Sequence, residues 1–299
     1  MMPNVSAVPA RLPHLGVLQF SGVDALSFLQ GQISNDTQRL AENEPLFAAY
    51  STAQGRVLAL IYLLPHSNGV AAILPREILN ATMERMRKFV LRAKVRLEDP
   101  GDSLIVAGRS SPNPETPEGY VERDGIGMAS VGHDPGRQWL IAPSDRIASA
   151  DAAQARQAET AWRLADIRAG LPQIYAATRE EFVAQMLNLD LLDGISFAKG
   201  CYTGQEIIAR TQHLGRIKRR LHRLQLPQGA WSIGQAIRLS DGRQGKLTEV
   251  IESEGRTEAL AVLTLEGNPA PAGEESDAIA VQAVELPLPY PLLRAHVRE

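Results

Sequence analysis

The chain has 299 residues, 44% hydrophobic and 22% charged, with a formal net charge of −3. That length buries a sizeable core without disulfides or metal, and the charge excludes a protein that coats nucleic acid through bulk charge. The single cysteine, Cys201, excludes an intrachain disulfide and cannot by itself hold zinc or an iron–sulfur cluster, which take about four ligands.

The N-terminus lacks the basic start and long apolar core of a signal peptide. The longest apolar run, Val57–Leu64, is far shorter than the roughly 20 residues of a membrane helix. A soluble, cytoplasmic protein in a reducing compartment, with no membrane partner, is expected.

Apolar spacing predicts a helix over 24–34, with Asp24 as N-cap and Leu26, Phe28, Leu29 and Ile33 as its buried stripe. Short apolar runs bounded by Gly, Asn or Pro predict strands over 46–52, 57–64 and 70–74, the first two joined by a turn at Gln54-Gly55. A second helix is expected over 75–93, opening on Pro75. Strands follow over 104–107, 127–131 and 139–141, with an exposed loop over 110–119. A third helix is expected over 152–169. A fourth is expected from Thr178, which has capping-box spacing to Glu181.

Beyond about Leu221 the pattern changes to short strands separated by glycine-containing turns, over 221–226, 236–239, 245–251, 259–265 and 278–284. The segment 268–277 reads as a loop. The expected division is an α+β region over 1–220 followed by a small β-barrel or sandwich over 221–299.

The segment Lys199-Gly-Cys-Tyr-Thr-Gly-Gln-Glu206 carries the clearest functional signal. Thr203 and Glu206 have capping-box spacing, so a helix is expected from Gly204 to His213 or Leu214, stopped by Gly215. Cys201 then precedes a helix N-terminus, close in sequence to the cation Lys199. Both features favour a thiolate, while the Glu206 carboxylate opposes it. Gly200 and Gly204 leave room for a ligand to approach the backbone. The competing reading is a buried structural cysteine, because Cys packs like a small apolar residue.

The stretch 182–210, FVAQMLNLDLLDGISFAKGCYTGQEIIAR, resembles the signature of the YgfZ family of folate-binding proteins, a branch of the glycine-cleavage T-protein (aminomethyltransferase) superfamily. The string KGCYTGQE is its most specific part. GVDALSFLQGQISND over 22–36 is similar to the family's N-terminal helix motif, YSTAQGRV over 50–57 to its strand–turn motif, and RAGLPQI over 168–174 to the segment before the signature.

The resemblance implies an α+β fold with two interleaved subdomains, one ferredoxin-like, and a C-terminal β-barrel, around a central channel holding tetrahydrofolate or a derivative. It implies a role in assembly or repair of iron–sulfur enzymes, including those that methylthiolate tRNA. Those client enzymes and the reduced folate are the implied partners, with tRNA a weaker one. Cys201 and Lys199 are then the candidate reactive pair. Gln30, Gln32, Asn35, Asp36, Arg56, Met186, Asn188, Gln205, Glu206 and Arg210 are candidate folate-binding residues, although at a helix end or inside a packed motif such residues also serve as caps and packing.

The sequence departs from the true aminomethyltransferases after Gly55. Their motif continues into an acidic pair, but Arg56, Val57, Leu58 and Ala59 stand here. This argues against the classical aminomethyltransferase reaction. Two other readings stay open: a tetrahydrofolate-dependent one-carbon transferase, and a tRNA-binding module built on the basic run Arg210, Arg216, Lys218, Arg219, Arg220 and Arg223. The functional reading of that run is an anion site suited to a polyglutamyl folate tail; RNA is the weaker choice because no aromatic residues are interleaved, and a solvated linker explains the run equally well.

Overall fold

The computed structural model describes residues 8–66, 69–110, 119–132, 134–148, 151–213, 215, 217–265 and 278–292. In chain order the elements are β1 (Ala10–Arg11), β2 (Leu15–Ser21), α1 (Ala25–Gln30), α2 (Gln38–Ala41), β3 (Leu46–Ser51), β4 (Val57–His66), β5 (Gly69–Pro75), α3 (Arg76–Arg87) and β6 (Arg96–Glu98). They continue with β7 (Ile105–Ser110), β8 (Tyr120–Arg123), β9 (Ile126–Val131), β10 (Asp134–Ala142), α4 (Ala152–Ala169) and α5 (Gln205–His213). The last are β11 (Arg219–Leu226), β12 (Ala236–Leu239), β13 (Gln244–Ser253), β14 (Arg256–Thr264), β15 (Ile279–Val281) and β16 (Val284–Leu286). The protein is α+β, as expected.

Three sheets carry the fold. The first runs β3-β4-β5-β2-β6 and the second β1-β7-β10-β9-β8, both antiparallel. Strands β3 and β4 are buried over almost their whole length, which explains their unbroken apolar sequence. Helix α3 covers the first sheet with Ile78, Leu79, Thr82, Met83 and Met86, the spacing of one helical face.

The third sheet runs β15-β12-β13-β14-β11-β16. Its two edge strands, β15 and β16, are joined by residues 282–283 alone. Opposite edges can lie so near in sequence only if the sheet curls into a barrel. Strand β14 shows the two faces by alternation. Ala259, Ala261 and Leu263 point into a small barrel core with Leu224, Ile237 and Leu247. Leu260 and Val262 join the large core that also holds Val57, Trp162 and Leu187.

Several expectations need correction. Helix α1 stops at Gln30 because Ile33 leaves the helix to bridge Tyr50 of β3. The Asp24 carboxylate accepts from Lys94 N–H at 2.6 Å and does not cap α1. Helix α3 ends at Arg87, not Ala93. The helix expected from Thr178 is absent. Thr178 Oγ1 accepts from Tyr175 N–H at 3.0 Å, Glu180 has φ +64°, and its N–H donates to Val57 O at 2.9 Å. A left-handed residue and a bond to β4 leave no room for continued helical bonding. The expected loops over 110–119 and 268–277 lie mostly or wholly outside the described residues, as do Leu214 and Arg216.

Candidate functional site

The site is built where three segments distant in sequence meet: the end of α1, the turn between β3 and β4, and the loop leading into α5. Helix α1 ends with free carbonyls, as every helix does. Lys199 supplies their partner. Its Nζ donates to the carbonyls of Gln30 (2.8 Å), Ile33 (2.8 Å) and Asn35 (2.7 Å). An ammonium group has three N–H donors, so this set occupies all of them. Lys199 is buried, and Nζ lies 4.9 Å from the centre of the Tyr202 ring. Burial lowers its pKa to about 8, while the Asp36 carboxylate opposes the shift. The residue fastens the Cys201 loop to the end of α1. Its ammonium therefore faces backbone carbonyls, where the sequence suggested support for a thiolate.

Two residues beyond Cys201 a second fastening follows. Thr203 N–H donates to Gly31 O at 3.2 Å, and the Thr203 hydroxyl donates to the same oxygen at 3.5 Å. The expected capping box with Glu206 does not form, because that hydroxyl is turned to α1. Cys201 sits between these two anchors, unpaired and exposed. The buried-cysteine reading is therefore wrong.

Helix α5 starts at Gln205, one residue later than expected, and Gly215 N–H closes its end on Arg210 O at 2.8 Å. Its start is pressed against the β3–β4 turn. Gly204 has φ +85°, and a Cβ there would lie 2.6 Å from Thr52 O. Gly55 has φ +71°, and a Cβ there would lie 2.9 Å from Ile207 Cβ. Only glycine fits both positions. The space at Gly204 is thus filled by the chain itself, whereas Gly200 has no atom within 4 Å of an added Cβ.

The remaining candidates divide by what they touch. Gln30 donates from Nε2 to Asp36 Oδ1 at 3.0 Å and accepts from Thr37 N–H at 2.8 Å. Asn35 donates to Phe47 O (2.9 Å) and Asp193 O (2.6 Å), and its Oδ1 accepts from Asp36 N–H. Asn188 holds φ +60° and donates to Leu221 O at 2.9 Å, tying the signature to the barrel. Gln30, Asn35, Asp36 and Asn188 thus have protein partners that fix the backbone. Arg56 donates to Glu181 O at 2.8 Å from an exposed position. Met186 packs partly buried against the large core. Gln205 is half-buried, and Glu206 and Arg210 are exposed.

Gln32 differs from all of these. It is 9% exposed and its Oε1 has no partner. Buried amide oxygens are normally satisfied. Ser51 Oγ and Gln185 Oε1 are also buried and unpartnered. Gln185 donates from Nε2 to Ile208 O of α5 at 2.7 Å. Ser51 and Gln185 escaped the sequence reading because a serine ending an apolar strand and a glutamine inside a signature carry no distinctive pattern.

Two members of the basic run, Arg220 and Arg223, hold the fold. Arg220 donates from Nη2 to Asp190 Oδ2 at 2.8 Å and from Nη1 to Gln185 O at 2.9 Å. Arg223 pairs with Glu258 at 2.7 Å. His222, near Cys201 in sequence, is buried and contacts Glu285 in the barrel sheet at 2.7 Å. Among the described residues no cluster of His, Cys, Asp or Glu is arranged to hold a metal ion, and no helix is long and apolar enough to cross a membrane.

No family model matches the chain. Curated relatives do. The tRNA-modifying protein YgfZ of Colwellia psychrerythraea is 30% identical over 237 residues, covering 74% of this chain and 73% of its own. The chain belongs to the YgfZ family. The tRNA-modifying YgfZ proteins of Hamiltonella defensa and Pectobacterium carotovorum are each 29% identical, covering 81% and 77% of this chain and 74% of their own. Among solved structures, aminomethyltransferase T of the glycine cleavage system from Bartonella henselae matches with a TM-score of 0.62. That match covers 88% of this chain and 80% of that one at 12% identity, so it places this YgfZ-family chain in the aminomethyltransferase fold and says nothing of its reaction.

Proposed function

We propose that this protein binds a reduced folate and serves tRNA modification by supporting the iron–sulfur enzymes that methylthiolate tRNA, with Cys201 as its reactive thiol. The observation that carries the reading is Cys201 itself. A lone exposed thiol is held on a loop anchored on both sides to α1, by Lys199 and by Thr203. Two anchors for one short loop point to a side chain whose position matters. The relatives' name, tRNA-modifying protein, supports the biological setting.

Three unpartnered atoms support a folate. Gln32 Oε1 and Gln185 Oε1 are buried acceptors and Ser51 Oγ is a donor or acceptor. A pteridine presents amide and amino N–H groups with a carbonyl, which complements that set. Gln32, Ser51 and Gln185 would hold the ring, with Met186 packing nearby. Bound folate supplies a reduced pterin that carries one-carbon groups. Cys201 would transiently ligate through its sulfur an iron species that is cargo, giving up its thiol proton to solvent. One thiol cannot retain a cluster alone, which suits a transient handler.

Aminomethyl transfer is disfavoured, because Arg56 and apolar residues follow Gly55 where that reaction's acidic pair is expected. Calorimetry with tetrahydrofolate tests the folate part. Binding in the micromolar range is expected, and no heat at millimolar ligand overturns it.

A further inference from the structure

A second group of unsatisfied side chains lies away from the Cys201 loop, where α3, the end of β3 and the turn around Arg179 approach one another. Tyr50 is 1% exposed and its Oη is buried. Burial raises its pKa, and Arg85, through its charge and a hydrogen bond to the phenol, and the Arg179 charge act against that rise, so both cations stand near the phenol. The Nε atoms of Arg85 and Arg179 are themselves buried and unpartnered. One turn before Arg85 on α3, Thr82 is fully buried with an unpartnered Oγ1.

No described carboxylate forms an ion pair with either arginine, although most other half-buried arginines have one, as in Arg163–Glu249 and Arg168–Glu258. Two half-buried cations near one phenol, with no acid to offset them, are costly unless a negative group joins them. The orphaned atoms are guanidinium N–H groups, which only donate, and hydroxyls, which can donate. Such a set is complementary to the acceptor oxygens of a carboxylate or phosphate.

The chain places this cluster beside the proposed pteridine contacts. Tyr50 bridges Ile33, the neighbour of Gln32, and precedes Ser51. Arg179 precedes Glu180, whose N–H bonds Val57 O, and Val57 pairs with Ser51. We infer that Tyr50, Arg85 and Arg179 form an anion recess that takes the glutamate carboxylates of the bound folate; this rests on the folate reading above. One ligand then meets neutral polar atoms at its ring and two guanidinium groups at its tail.

The test compares three probes on the full chain: tetrahydrofolate, 6-methyltetrahydropterin (which has no glutamate arm) and inorganic phosphate. Each is titrated into the parent protein, Arg85→Gln and Arg179→Gln, with circular dichroism and melting as fold controls. The inference expects each variant to weaken tetrahydrofolate about tenfold or more, the usual size for losing a charge-assisted hydrogen bond. Affinity for the pterin stays unchanged. Parent-like tetrahydrofolate affinity in both variants overturns the inference, as does equal weakening of folate and pterin in folded variants. If the parent binds the pterin or folate, the folate reading stands whatever the variants do. If it binds neither but takes up phosphate in an arginine-dependent way, the folate source is overturned and the recess is a phosphate site.

Discussion

The ion-paired arginines of the barrel side and the pair Arg85 and Arg179 beside β3 are used in opposite ways. On the barrel side Arg220 meets Asp190, Arg168 and Arg223 share Glu258, and Arg243 bridges Asp241 and Glu285. On α3, Arg76 and Arg87 are ion-paired as well, with Asp99 and Glu84, but Arg85 and Arg179 have buried, unpartnered Nε atoms near Tyr50. Lys199, by contrast, is satisfied by backbone carbonyls. The difference separates cations that hold the fold from cations left for something else. A basic run in sequence does not reveal which kind it contains.

Arg220→Ala breaks this contrast most severely. It leaves Asp190, whose side chain is 6% exposed, charged and buried without a partner. A loss of about 3–5 kcal/mol in urea unfolding is expected. Lys199→Met comes next. Three buried carbonyls lose their donor, and a loss of roughly 3 kcal/mol is expected, with the Cys201 loop more open to hydrogen exchange.

His14 tests a buried group by pH. Burial, with the nearby Arg163 charge, lowers its pKa to about 3 from the usual 6.5, despite Glu159 at 3.8 Å. The unfolded chain therefore takes up a proton at His14 before the folded one does. Its contribution is fully present above pH 6.5 and falls as pH drops towards 3, by up to about 1.4 kcal/mol per pH unit. Stability measured against pH in His14→Gln should show a shallower acid slope by that amount. An unchanged slope means His14 titrates normally.

Arg85→Gln and Arg179→Gln sharpen the comparison from the other side. They break no ion pair among the described residues, so each should change stability by less than about 1 kcal/mol. Losses comparable to Arg220→Ala would show that these arginines also hold the fold. Cys201→Ser should be smallest, within about 0.5 kcal/mol, because the thiol is exposed.

The sequence made much of this fold legible. Alternation and apolar runs located β3, β4, β5 and most barrel strands, because their side chains face cores on one or both sides. Helix α4 was legible to the residue, helped by the glycine that ends it in a left-handed turn. The helix expected at Thr178 failed because capping-box spacing does not specify a helix when a left-handed residue and a bond to β4 intervene. Strand β2, buried between β5 and β6, was missed, since LGVLQFS has little alternation and no sharp turn before it.

At the candidate site, the sequence singled out Cys201, which is exposed, and Gln32, whose Oε1 is buried without a partner. The roles of Lys199 and Thr203 were illegible because both bind residues about 170 positions away. Tyr50, Arg85 and Arg179 share no motif, and only tertiary structure brings them together.

The central claim is that Cys201 acts chemically and is not only a loop residue. The direct test is complementation of a strain lacking this protein, with methylthiolated tRNA quantified by mass spectrometry. Cys201→Ala, expressed at parental level, should leave methylthiolation at or near that of the null strain. Full restoration by Cys201→Ala would contradict the account.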